Sequence, residues 1–227
     1  MSKKYELVVD DTITFWGWKL FRIRALISFG SVDAGDLGGY IYTEDNLSQK
    51  GDAWVSGDAK VWGDAEVWGN AKVWGNAKVL GNAEVSGDAE VLGNAEVSGN
   101  AKVSGDAEVW GNAKVSGNAK VSGDAEVWGN AKVWGNAEVS GDAEVWGNAE
   151  VSGDAKVSDF EDVIVFKNHW SSGRHFTYTK SNKMWRVGCF YGTGQELIDK
   201  AYRDSEKSGN FYKAYVEFIA SLEGLGE

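Results

Sequence analysis

The sequence predicts a mainly β protein whose middle winds into a parallel coil of short strands, closed by a cap at each end. Three observations carry that expectation. An uninterrupted six-residue repeat runs from Gly51 to Ser158. The 227 residues hold 30 glycines and no proline, which excludes collagen and proline-rich linkers. Hydrophobic residues make up 43%, which excludes a disordered tract.

Residues 1–50 form the expected N-terminal β cap. Leu7-Val8-Val9, Thr12-Ile13-Thr14 and Phe21-Arg22-Ile23-Arg24-Ala25-Leu26 have the residue types of strands. The run Gly35-Asp36-Leu37-Gly38-Gly39-Tyr40-Ile41 is rich in turn formers and leads into the coil. It lacks the Gly-Lys-Ser/Thr ending of a phosphate-binding loop. A coil has open strand edges, which must be covered. Leu20, Ile23 and Leu26 are the residues expected to plug the first turn.

Residues 51–158 form eighteen hexapeptides: Gly, Asn/Asp, Ala, Lys/Glu, Val, then Ser/Trp/Leu. Only Trp54 breaks the fourth position. Ala and Val are two apart, so in a strand they share one side and the charge takes the other. Gly-Asn/Asp tolerates the positive φ of a corner. Each hexapeptide is therefore a short strand and a corner. Strands this short, joined without reversals, wind at three per turn. Eighteen give six triangular coils, about 29 Å long at ~4.8 Å per coil.

The spacing of Val55 to Ala59 and Val61 to Ala65, continued to Val157, resembles the hexapeptide-repeat left-handed parallel β-helix family. The left hand is what the resemblance implies, since most parallel crossovers are right-handed. The leader from Arg22 to Ser48 (Phe29-Gly30, Gly35 to Ile41, Asn46-Leu47-Ser48) and the tail after Ser158 resemble uncharacterised bacterial and prophage hexapeptide-repeat proteins. That resemblance implies a mobile-element context, a cytoplasmic place in a bacterial host and no established chemistry. The family is commonly trimeric, so a homo-oligomer (trimer or dimer) is an expected state.

Residues 159–227 are expected to form a small α+β domain. Val163–Phe166, His175–Thr179 and Met184–Phe190 have strand character. Thr193-Gly194-Gln195-Glu196 is a capping box that opens a helix. A second helix is expected after Ser208-Gly209-Asn210, with Phe211, Tyr215, Phe218 and Ile219 at helical spacing.

An 18-residue period separates three faces. One carries the pairs Asp88 and Glu90, Asp106 and Glu108, Asp124 and Glu126, Asp142 and Glu144, beside Trp74, Leu92, Trp110, Trp128 and Trp146. The second is mainly Lys over Asn corners. The third mixes Lys and Glu beside a Ser row. Stacked like charges destabilise neighbouring strands, and rows of exposed Trp are typical of contact surfaces. The plainer readings are charges copied in register by repeat duplication, and Trp packed over Lys and Glu stems.

Chemistry is sparsely represented. One cysteine precludes an internal disulfide, and with two histidines no His-built metal site is expected. No metal or cofactor is expected. Acyltransferases of the resembled family use a coil histidine as base, whereas His169 and His175 both lie in the final domain. A buried, structural Cys189 is expected. The loop with His169, Trp170, Arg174 and His175 is the candidate site for an anion or a partner carboxylate. Ice binding requires uncharged rows, which no face provides. A net charge of -11 opposes direct binding to nucleic acid or anionic lipid. No apolar run reaches the length of a membrane span. The expected function is a non-catalytic rod that presents its acidic, Trp-flanked face to a protein partner, from the host or a second copy of itself. The alternative is mimicry of DNA to inhibit a host DNA-acting or defence enzyme; an acyltransferase is the disfavoured third reading.

Overall fold

A computed structural model describes residues 3–225. Successive hexapeptides pass in turn to three parallel sheets, so the coil is a three-sided parallel β-solenoid. From Val55 to Val139 each repeat valine pairs in register with the valine 18 residues on, as Val91 does with Val109. The Ala and Val columns are completely buried. Each buried valine contributes about 2 kcal/mol through apolar surface removed from water. The corners need glycine for two reasons. Gly105 has φ +74, and a Cβ there would stand 2.9 Å from the Gly123 nitrogen of the next turn.

The stack starts earlier than the strict repeat. The run expected to be a turn contains β3 (Leu37–Ile41), which pairs parallel with Lys60–Val61. Leu47 then bridges to Val67. Ile41 and Leu47 take the inward valine positions six residues apart, and Gly39 takes the alanine position. A Cβ on Gly39 would lie 2.7 Å from the Ala59 carbonyl. This degenerate seventh turn carries the N-terminal cap. The two short strands expected at Leu7–Val9 and Thr12–Thr14 are one strand, β1 (Tyr5–Phe15), with an irregularity between Val8 and Thr12. It forms a hairpin with β2 (Trp18–Ala25), and β2 extends the sheet beyond β3. Of the three expected plug residues, Ile23 joins the solenoid core and Leu20 packs with Tyr40 and Trp62. Leu26 does not plug the coil: it is exposed, just past the end of β2. Trp54 breaks the repeat because the cap covers it, with Tyr5 and Phe29 edge-on to its ring.

The two ends of the rod present different backbone groups and are closed differently. At the start, Lys4 Nζ donates to the Gly51 and Ala53 carbonyls at 3.2 and 2.8 Å. Asn46 Nδ2 does the same for Gly63 and Ala65 at 3.0 and 2.8 Å. On the remaining side β3 supplies the donor, Tyr40 N–H to the Ala59 carbonyl. Burial lowers the Lys4 amine to a pKa of about 8, against the attraction of Asp52. At the far end, side-chain hydroxyls accept the outermost N–H groups. Thr177 Oγ1 accepts from Glu150 at 3.0 Å, and Ser181 Oγ accepts from Lys156 at 2.9 Å.

The final domain has a four-stranded antiparallel sheet: Val163–Lys167, His175–Thr179, Met184–Val187 and Phe190–Thr193. The single strand expected over Met184–Phe190 is a hairpin, because Gly188 turns the chain at φ +58. Cys189 sits in that turn and is exposed, contrary to its expected burial. Helix α1 (Gly194–Asp204) opens with the Thr193–Glu196 capping box. Helix α2 (Glu206–Glu223) starts before the expected point, because Ser205 caps it by accepting from Ser208 N–H. Gly209 falls inside α2, where the Tyr202 ring leaves no room for a Cβ.

Candidate functional site

The acidic face is built from strands whose outward residues stack in register. Lys72 pairs with Glu90, which pairs with Glu108, then Glu126, then Glu144. Only the first acidic turn is neutralised. Lys72 Nζ reaches Glu90 Oε1 at 2.9 Å, and Asn70 Nδ2 donates to Asp88 Oδ1 at 2.9 Å. Among the described residues, Asp106, Glu108, Asp124, Glu126, Asp142 and Glu144 have no ion pair and no side-chain hydrogen bond. Partial burial, followed by the charges of Glu126 and Glu90, raises the Glu108 carboxyl above its ordinary pKa.

The other two faces use the same fold with a different charge pattern. Lys102 pairs with Glu84 at 2.8 Å, Lys120 with Glu138 at 3.2 Å, and Lys132 with Glu150 at 2.9 Å. Their corners carry amide ladders. Asn94 donates to Asn112 at 3.2 Å, and Asn112 donates to Asn130 at 3.2 Å. A parallel ladder runs from Asn82 through Asn100, Asn118 and Asn136 to Asp154. An amide both donates and accepts, so such a column satisfies itself. A carboxylate only accepts, so the Asp106, Asp124 and Asp142 corner cannot form a ladder.

The tryptophan row divides. Trp110 and Trp128 stack at 4.9 Å and 5°, and Trp128 and Trp146 at 5.5 Å and 13°. The indole Nε1 of Trp128 is buried in this stack without a partner. Leu92 separates Trp74 from it. Trp74 instead lines a cleft of about 580 Å³ under the N-terminal cap, with Trp54, Lys72, Asp88 and Glu90.

The loop of the final domain also divides. Trp170 stacks on Phe211 at 4.6 Å and packs against Phe176, Tyr212 and Tyr215, so its ring belongs to the domain core. His169 stands edge-on to Trp170 and Phe211. Arg174 and His175 are exposed. Both line a cleft of about 480 Å³ with Lys132, Trp134, Glu150 and Arg186. There Arg186 lies 4.5 Å over the Trp134 ring and bonds Glu150 at 3.4 Å.

His175 also faces the acidic side. It lines a cleft of about 380 Å³ with Glu144, Trp146, Phe160, Val163 and Val165. The acidic column and the loop thus meet at Glu144, Trp146 and His175. Phe160, Val163 and Val165 are the cleft residues that the sequence analysis missed. Strand alternation is the signal for the last two: Ile164 and Phe166 pack into the domain core, which turns Val163 and Val165 the other way.

Among the described residues, no group of three or more His, Cys, Asp or Glu is placed to hold a metal ion. Among them too, no helix is long and apolar enough to cross a membrane. No family model matches the chain, and neither does any curated protein.

Proposed function

We propose that this chain is a non-catalytic binding or assembly protein of the hexapeptide-repeat type, carried by a phage or prophage. Its acidic, Trp-flanked face docks on a basic surface of a protein partner. One observation carries the proposal. Three consecutive Glu–Glu registers run down one face and, past Glu90, their carboxylates have no ion pair among the described residues, while the same repeat on the other faces supplies a Lys partner to Glu84, Glu138 and Glu150. Each like-charge register costs about 0.2–1 kcal/mol of stability. The other faces hold like-charge registers singly, as at Lys60–Lys78, Lys114–Lys132, Lys102–Lys120 and Glu66–Glu84, and never three in succession. Folding alone does not favour such a run, so the column is read as a feature retained for contact. Unpaired surface charge accelerates encounter and selects partners. The flanking aromatic rings supply the apolar contact area typical of interface anchors.

A second reading of the same face is DNA mimicry. Two carboxylates per turn of ~4.8 Å give about one charge per 2.4 Å, close to the one per ~1.7 Å of duplex DNA. The partner is then a DNA-acting enzyme of the host.

The test is capture from host lysate by the native protein and two variants. One reverses Glu108, Glu126 and Glu144 to Lys. The other reverses Lys102 and Lys120 to Glu on the third face. A partner kept by the native and third-face proteins, and lost by the first variant, supports the proposal. Equal retention by all three refutes it. Displacement of that partner by duplex DNA selects the mimicry reading.

A further inference from the structure

The tryptophan stack ends on an open ring. Trp128 covers one face of Trp146, and among the described residues no aromatic ring stacks on the other. Trp146 is 55% exposed, the most of the three. The stack advances one turn at a time, with centroid spacings of 4.9 and 5.5 Å. Trp146 also lines the cleft of about 380 Å³ between the last coil and the final domain. Its walls include Trp146, Val163, Val165, Phe160 and His175, and Phe160 is 65% exposed. Glu144, the last carboxylate of the unpaired column, stands on its rim.

We propose that this cleft is the anchor pocket of the acidic face: it receives an aromatic side chain from a basic segment of the protein partner. The ring stacks on the free face of Trp146 and continues the row. Basic residues of the same segment lie along Glu144, Glu126 and Glu108. Those three carboxylates span about 10 Å, which is the length of three residues of extended chain. Ring and charges therefore engage together within one short segment. The proposal rests on the partner-docking reading of the acidic face and adds to it the chemistry of the occupant.

Three synthetic peptides separate the two ideas: acetyl-Lys-Gly-Lys-Gly-Trp-amide, the same peptide ending in Leu, and the same Trp peptide with both Lys replaced by Glu. Each is titrated into the whole ¹⁵N-labelled protein at 50 mM salt, with the Trp146 indole N–H as reporter. The inference predicts that the Lys/Trp peptide binds at least tenfold more tightly than either of the others and shifts the Trp146 signal. Trp146→Ala abolishes its advantage over the Leu peptide, and Trp146→Phe, which keeps a ring, retains part of it. Equal binding of the Trp and Leu peptides overturns the pocket and leaves the acidic face standing. Equal binding of the Lys and Glu peptides overturns the docking reading itself, and no binding overturns both. Sedimentation of the free protein is the remaining check. A dimer that Trp146→Ala dissolves makes a second copy the occupant and also overturns the proposal.

Discussion

Lys72 closes the acidic column: its ammonium lies 2.9 Å from the Glu90 carboxylate, and no cation follows it on that face. Glu90 thereby becomes a neutralised terminus, and the unpaired charge starts at Glu108. The face is polarised along the rod, with its charge and its stacked indoles displaced toward the final domain. A partner that reads both reads that end.

The raised pKa of Glu108 makes stability pH-dependent. The folded chain holds this proton more tightly than the unfolded chain does. The resulting stability is present below the unfolded-state pKa and is lost as pH rises through the raised folded value. With solvent screening, Glu108→Gln is expected to be more stable than the native protein at pH 7 by about 0.5 kcal/mol. Urea unfolding should show that gap closing on acidification to pH ~4. A gap independent of pH contradicts the assignment.

Exchanging the chemistry of two corners gives opposite signs. Asn112→Asp removes the donor that bonds Asn130 and costs about 1 kcal/mol. Asp124→Asn places a donor between two carboxylates and stabilises by about 0.5 kcal/mol. Denaturation midpoints of both variants measure the pair. The same sign for both excludes the ladder account.

Gly105 and Gly147 share a positive φ but not a neighbour. A Cβ at Gly105 meets the next turn at 2.9 Å, whereas at Gly147 nothing lies within 4 Å. Alanine at Gly147 therefore costs only the backbone strain, about 1–2 kcal/mol. Alanine at Gly105 should cost at least ~1 kcal/mol more, since close-packed turns do not part freely. Equal melting temperatures for the two variants argue against a close approach.

Lys4→Met leaves the Gly51 and Ala53 carbonyls without their donor at the buried end of the rod. The expected loss is about 2–3 kcal/mol. The native lysine has a folded pKa lowered to about 8 from 10.5, so the unfolded chain binds the proton more tightly. Stability of the native protein relative to Lys4→Met is then expected to rise with pH between those values. Chemical denaturation across that range gives the slope, and a flat difference denies the burial of a charged amine.

The coil and its three faces were legible because a repeat without insertions keeps its phase. One inserted residue among the eighteen hexapeptides would have scrambled the columns. The seventh turn was hidden because its signal is two residues, Ile41 and Leu47, with glycine where alanine is usual. The amide ladders depend on corner geometry, which residue type alone does not reveal. Trp170 has polar neighbours in sequence, but packing against Phe211 and Tyr212, some 40 residues away, decides its place. Cys189 keeps apolar company in sequence, but Gly188 turns the chain there and leaves it exposed. The cleft at Trp146 needs two segments to meet, so no local pattern contains it.

The central claim is that the unpaired carboxylates hold a partner. The most direct measurement is the affinity of a captured partner for the series Glu108→Gln, then Glu126→Gln added, then Glu144→Gln added, each at several salt concentrations. The account predicts stepwise weakening and a salt dependence that becomes shallower with each charge removed. Affinity and salt slope unchanged across the series would contradict it.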